Sequence, residues 1–523
     1  MFALAARIDA LARAQPAAPA FLGDAGSLSW REYAERSDRF ALHLAALGLS
    51  PGERVAVMLP DGPGVHVAFV SCEKAGLVVM GIGPRAGREE IRHLLEKSGA
   101  AALVSRAKLR DLDLRTLFAE LRASGLPLRE HVVIDAQLDA SEACYSDEAA
   151  SWAAKIDASE LASRRLGAED LFLLNSTSGT TGLPKCVTHH QARWFHFHEL
   201  AALSGEMTPR DVFLSALPAP FGFGLWTAHF TPSALGAPCV LLEKFSPEAA
   251  LAAIEQHRVT ILAAVSTQFI MMLNSPALER TDLSSLRVLY TGGEAVPYER
   301  ALEWEQRTGS LVLQFYGSNE TGALSRTTTR DSQERRLTTA GRLIDAMHVR
   351  LRDDAGNDVT ASGRGIPSCR GPLACRGYYG DVAANSKLYT RDGWMLTGDI
   401  GRIDADGYLS VVGRTADFII RGGKNISGPA VEEAVSTHPA VALAAAVAWP
   451  DAVYGERVCV YAELRSGASL TLEGLTRHLE LRGTTREWWP ERLVVVDALP
   501  RASGGKVAKG ELRADARRRA AAG

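Results

Sequence analysis

Apolar residues recur along this chain in two rhythms, and the rhythms alternate. In MFALAARIDALARAQ, Arg7 and Asp9 interrupt the apolar run and no basic stretch precedes it. The segment therefore predicts an amphipathic first helix rather than a signal peptide. Ser29-x-x-Glu32 forms a capping box, since both side chains satisfy orphan N–H groups at a helix start. Tyr33, Phe40 and Leu44 then follow at helical spacing, and Gly48 ends the helix. Strand-like runs come at 54–59, 171–174, 238–242, 286–290 and 311–315, with helical stretches between them. Such alternation predicts an α/β fold of doubly wound, parallel sheets covered by helices on both faces, with functional loops at the carboxyl ends of the strands.

From about residue 350 the texture changes. Short strands punctuated by turns at 353–356 and 404–407 predict a small antiparallel β-subdomain. After Gly413 a further unit combines β-rich runs (VCVYAEL, RLVVVD) with two helical ones. The chain thus reads as a large body, 1–413, and a small C-terminal α+β domain, 417–523, whose tail ARRRAAAG reads as a frayed, solvated helix end.

Charge narrows the function. The 58 Lys and Arg residues nearly balance 61 Asp and Glu, leaving −3, which argues against electrostatic binding to nucleic acid. No run of ~18 apolar residues predicts a membrane span. The 7 Cys are scattered without a C-x-x-C pair, which fits reduced thiols in the cytoplasm better than a disulfide or zinc framework. Cys369 and Cys375 have no His or Cys nearby to complete a tetrahedral site. His189, His190, His196 and His198 read as structural, because His196 and His198 point apart on a helix.

The most informative stretch is Ser176-Thr177-Ser178-Gly179-Thr180-Thr181-Gly182-Leu183-Pro184-Lys185, directly after a strand. Glycine lets backbone N–H groups approach an anion, hydroxyls add donors and Lys adds a point charge, so the chemistry suits a polyphosphate. It is not a Walker A loop, since G-x-x-x-x-G-K-[ST] is absent. A Gly81-x-Gly83 near-miss is weak grounds for a dinucleotide-binding dehydrogenase.

The loop resembles the signature of the acyl-adenylate-forming (ANL) superfamily, in its acyl-CoA ligase branch. Further motifs stand in the family's order: Thr291-Gly292-Gly293-Glu294-Ala295, Tyr316-Gly317-Ser318-Asn319-Glu320-Thr321-Gly322, Trp394 to Asp399, Gly413 to Asp417, Arg421 to Asn425 and Pro500 to Val507. The resemblance implies ATP, Mg²⁺ and CoA. Thr177, Ser178, Gly179, Thr180, Thr181 and Lys185 would cradle phosphates, and Gly293, Glu294 and Ala295 would line adenine. Tyr316 would stack on the base, and Gly317 and Asn319 would belong to the same ATP/AMP-binding set. Asp399 would hold the ribose, Arg414 would assist at ribose or phosphate, and Glu320 would support Mg²⁺. Lys506, a long ammonium on a glycine-rich loop, would stabilise charge as the acid meets the α-phosphate.

In the family the small domain is mobile. It would turn about a hinge at 414–416 and present Gly422 and Gly423 beside the pantetheine channel. The acyl pocket would draw on Phe221, Phe223, Trp226, Ser266, Thr267 and Gly292. The 218–226 region carries no acidic residue for an α-ammonium, so the acid is expected to be non-amino, apolar and bulky. Asn319 stands where the family commonly has Thr, Ala416 where the hinge has Asp or Lys, and Ala502 and Gly504 near Lys506 replace hydroxyl residues. The expectation is an acyl-CoA ligase. The alternatives are an enzyme specialised to one half-reaction, or one loading a carrier protein, with a non-catalytic nucleotide-binding protein behind them. A homodimer is left open.

Overall fold

The run Arg54–Met58 forms the expected strand, and its apolar side chains are buried on both faces. Around it lies a six-stranded sheet in the order 186–190, 171–176, 78–81, 54–58, 102–105, 130–133. Neighbours run parallel except at the edge, where Cys186–His190 returns antiparallel onto Leu171–Ser176. The computed structural model describes residues 3–24, 26–134, 158–177, 184–293, 296–414, 418–421, 424–502 and 506–522.

A second sheet of nine strands has the parallel core 239–241, 213–215, 261–263, 288–292, 311–318. Its alternating side chains feed two cores. Leu214, Val240, Leu262, Leu289 and Val312 pack against Leu251, Ile254, Phe269 and Trp304 of the outer helices. Phe213, Cys239, Ile261, Val288 and Leu313 face inward, in one cluster with Val55, Val57 and Val79 of the six-stranded sheet. Period-two alternation with both faces apolar is what a sheet between two helical layers requires. The first helix, Leu4–Ala14, and the capping box at Ser29 on the helix Trp30–Ala46 stand as expected.

Residues 348–414 form the expected antiparallel unit, with strands His348–Arg352, Arg364–Arg370, Asp399–Ile403 and Leu409–Arg414 in order. The C-terminal sheet pairs Lys424–Ser427, Phe418–Arg421, Gly455–Leu464 and Val441–Asp451, with Arg492–Val496 parallel at the side of Gly455–Leu464. The tail ends a helix, as expected, and Arg517, Arg518 and Arg519 are exposed. Lys509–Ala522 is one helix, and Leu512 and Ala516 are buried with Ala445, Val447 and Tyr461. Tyr461 Oη also donates to Asp515 at 2.8 Å, which anchors the middle of the helix ahead of its solvated end. No helix among the described residues is long and apolar enough to cross a membrane.

Candidate active site

Loops at the carboxyl ends of Leu171–Ser176, Val288–Gly292 and Leu311–Ser318 converge where the two large sheets meet the C-terminal domain. The base of the phosphate loop is closed by two hydrogen bonds: Thr177 N donates to the Lys185 carbonyl at 3.1 Å and Lys185 N to Thr177 Oγ1 at 3.2 Å. Ser178, Gly179, Thr180 and Thr181 lie outside the described residues, as do Glu294, Ala295, Gly422, Gly423 and Ala416.

Lys185 Nζ sits 4.8 Å over the ring of Tyr378, and Tyr378 Oη donates to Glu320 Oε1 at 2.8 Å. One tyrosine thus joins the predicted phosphate lysine to the predicted metal-supporting carboxylate. Burial and the adjacent Glu320 charge push the Tyr378 hydroxyl well above its ordinary range, so it stays a donor. Tyr378 was missed in the sequence, where it belongs to no motif and its role depends on two distant segments meeting.

Asp399, the expected ribose ligand, opens the strand Asp399–Ile403 and is buried, and Tyr316 Oη donates to its Oδ2 at 2.7 Å. Arg414 is the backbone partner of Asp399 across the antiparallel pair. Asn319 reaches the mouth of the phosphate loop, since its Nδ2 lies 3.5 Å from the Ser176 carbonyl and its Oδ1 3.4 Å from Asn175 Nδ2. Gly317 lies near the end of the strand Leu311–Ser318, paired with Ala323 of Gly322–Arg326, where a Cβ would strike the Gly322 carbonyl.

From the C-terminal domain, Lys506 Nζ donates to the Gly293 carbonyl at 2.8 Å. Gly293 has φ +79°, and a Cβ there would stand 2.5 Å from that ammonium. This glycine is required twice, for its left-handed backbone and for the approach of the lysine.

The acyl segment begins at Pro218. Asp61 accepts from Ala219 N at 3.1 Å, a support that no motif announced, and desolvation pushes the Asp61 carboxyl up to about 6. Phe221 precedes the short helix Gly222–Gly224, which passes into a π-helical turn, Leu225–Phe230. Such turns re-aim side chains and often occur at functional sites. Phe223 stacks on Trp226 with ring centroids 5.7 Å apart, and Trp226 meets Tyr290 and Phe315 edge-on at 5.2 and 5.7 Å. Phe221 and Phe223 keep partial exposure while Trp226 is buried behind them. Ser266 and Thr267 are buried at the start of the helix Ser266–Asn274, and Gly292 packs against the Phe315 carbonyl. None of these six expected acyl-pocket residues carries a charge.

Among the described residues no three His, Cys, Asp or Glu side chains gather to hold a metal ion. Glu320 supplies a hard carboxylate oxygen, joined through Tyr378 to Lys185. That donor set fits a Mg²⁺ that arrives with ATP and keeps phosphate and water ligands.

The AMP-binding enzyme model matches residues 8–379, and the AMP-binding enzyme C-terminal domain model matches 430–506. The chain belongs to the AMP-binding enzyme family. The medium-chain fatty-acid–CoA ligase of Escherichia coli K12 is 31% identical over 487 residues, covering 91% of this chain and 83% of that one. The salicyl-AMP ligase / salicyl-S-ArCP synthetase of Mycobacterium tuberculosis is 33% identical over 491 residues, covering 92% and 84%. The structure of ATP-bound MatB from Rhodopseudomonas palustris superposes with a TM-score of 0.84 at 25% identity, covering 99% of this chain and 100% of that one. This chain is accordingly an adenylate-forming, AMP-producing acid–thiol ligase that uses ATP and Mg²⁺.

Proposed function

We propose that the enzyme activates a bulky, apolar, non-amino carboxylic acid, in keeping with the aromatic, uncharged segment between Phe221 and Trp226. In the first half-reaction the acid's carboxylate oxygen attacks the α-phosphorus of ATP, an O–P bond forms, and pyrophosphate leaves. In the second the CoA thiol, losing its proton, attacks the acyl carbon and AMP leaves with the bonding pair. The observation that carries this reading is Lys506 Nζ held 2.8 Å from the Gly293 carbonyl. It supports a cation beside the segment assigned to the base, within reach of the negative charge that builds in the first step. Asp399 binds the ribose hydroxyls, Tyr316 and the 293–295 segment flank the base, and Lys185 with Thr177–Thr181 takes the phosphates. Glu320 holds the Mg²⁺, whose contribution is charge neutralisation on phosphate oxygens.

After adenylation the domain 417–523 turns about the hinge 414–416, withdraws Lys506 and brings Gly422 and Gly423 beside the thiol's path. One site then serves two steps by gating. The described cysteines are all buried thiols, which fits a cytoplasmic enzyme. The likeness to a salicyl-S-ArCP synthetase favours a second reading, in which a carrier-protein pantetheine replaces CoA. The test is a panel of aromatic, alicyclic and medium-chain acids scored for ATP–pyrophosphate exchange and for AMP release with and without CoA. Exchange with bulky apolar acids and a CoA thioester of matching mass are expected. Absence of exchange with every acid would overturn the reading, and product on a carrier protein only would select the second one.

A further inference from the structure

The underside of the site is held by a charge that none of the motifs contains. Arg193, in the helix Gln191–Ser204, is 3% exposed, and its guanidinium divides three ways. Nε donates to the Leu373 carbonyl at 2.9 Å, Nη2 to the Asn319 carbonyl at 2.9 Å, and Nη1 meets His189 Nδ1 at 3.1 Å. A guanidinium accepts nothing, so Nδ1 is the acceptor and His189 Nε2–H donates to Asn175 Oδ1 at 2.8 Å. Asn175 Nδ2 then donates to the Pro220 carbonyl at 3.1 Å. This relay joins the strand that feeds the phosphate loop, the segment ahead of Phe221 and the turn bearing Asn319 and Glu320. It also reaches the 373–375 stretch, whose Cys375 N donates to the Glu320 carbonyl at 2.7 Å.

All three acceptors of Arg193 are neutral. Burying a cation without a bonded anion is costly, and the cost is tolerated where a nearby negative charge benefits. Burial pulls the Arg193 pKa down, and the Cys375 thiol and then the Glu320 carboxylate act to hold it up; burial keeps that thiol protonated, so the compensating charge is the carboxylate assigned to Mg²⁺ and phosphate. Packing alone would be met by an apolar side chain of similar length.

We propose that Arg193 is a positioning residue for adenylation. Through the Asn319 carbonyl, and through His189 and Asn175, it fixes the Glu320 turn against the acyl segment, and its charge biases the site toward the anionic triphosphate. The inference rests on the adenylate-forming reading of the same site.

The test uses the full chain and two variants, Arg193→Met, which removes charge and donors, and Arg193→Lys, which keeps the charge but cannot span three acceptors. Acid-dependent pyrophosphate exchange is measured against MgATP concentration, MgATP binding by calorimetry, and thioester formation from a synthetic acyl-adenylate with CoA. Arg193→Met is expected to raise KM and Kd for MgATP about tenfold or more, with Arg193→Lys between it and the parent. Thioester formation from the acyl-adenylate should change less than about twofold, because that step binds no triphosphate. Equal losses in both half-reactions, or an unchanged MgATP Kd, would overturn the proposal. Should Arg193→Met fail to fold, Arg193→Lys is judged by the same two criteria. A parent enzyme that exchanges with no acid would overturn the underlying reading, whereas an active parent with unaffected variants would overturn this inference alone.

Discussion

At Gly293 a hydrogen in place of a Cβ decides whether the Lys506 ammonium reaches the Gly293 carbonyl. Gly293→Ala would force an L side chain into φ +79° and place its Cβ against the Lys506 ammonium. The backbone strain alone costs roughly 1–2 kcal/mol. We expect exchange to fall at least about tenfold, with thioester formation from acyl-adenylate retained, since only the first step needs the lysine in place. Lys506→Ala should cut exchange by about a hundredfold or more while again sparing the second step. Unchanged exchange in that variant would remove Lys506 from the chemistry. Residues such as Lys506, Asp399, Tyr316 and Glu320 were legible because each lies in a short motif beside a predicted strand. Tyr378, Asp61 and Arg193 were not, because their value comes from meeting distant segments, and nothing in local spacing records a tertiary convergence.

Elements were legible where a local rule fixed them. The Ser29–Glu32 box, the apolar runs of the parallel strands and the turns at 353–356 and 404–407 each carry their own cause. The antiparallel return of Cys186–His190 was hidden, because the loop before it reads as phosphate chemistry rather than as a hairpin. The docking of the C-terminal helix was hidden for a different reason. Alanine and arginine give no apolar stripe, yet Leu512 and Ala516 suffice to dock it on the sheet. Between elements, the buried pair Glu305–Arg336 ties the helix Tyr298–Thr308 to Gln333–Thr338, with Arg336 Nη2 2.9 Å from Glu305 Oε1. Glu305 also accepts from Val312 N at 2.8 Å, which joins this pair to the strand that leads into Tyr316. Arg336→Met leaves that carboxylate buried and should destabilise the large domain by about 3–5 kcal/mol, whereas adding Glu305→Gln should return part of the loss. Denaturant midpoints of the two variants check this, and equal midpoints would contradict it.

At the scale of the whole molecule, the division into a large body and a small C-terminal domain was visible as a change in texture. The way the two units dock was not, since Arg300 Nη2 on the Val441 carbonyl at 3.1 Å and Lys506 on Gly293 are pairings between remote segments. The large body also carries a pH dependence that emerges only when its buried groups are taken together. Desolvation holds His66 down to about 3 and His190 and His198 to about 4, and it pushes His189 and His229 well below the ordinary range. His66 and His229 face each other through their Nδ1 atoms at 3.2 Å, an arrangement that a single shared proton satisfies and a second would break. Between about pH 6.5 and 4 the unfolded chain protonates these imidazoles and the folded chain does not. The unfolded state then binds more protons, so stability falls as pH falls. Asp61, raised to about 6, and Glu73, raised to about 7, act in the opposite sense, because their folded forms keep protons that the unfolded chain has released. Five histidines outweigh two carboxyls. Asp9 and Asp211, both held below the usual carboxylate range, add a further loss as pH falls through their folded values. We therefore expect the thermal midpoint of the large body to drop from pH 7.5 to 5 in scanning calorimetry. A midpoint that is flat or higher at pH 5 would show that these imidazoles accept protons in the folded state.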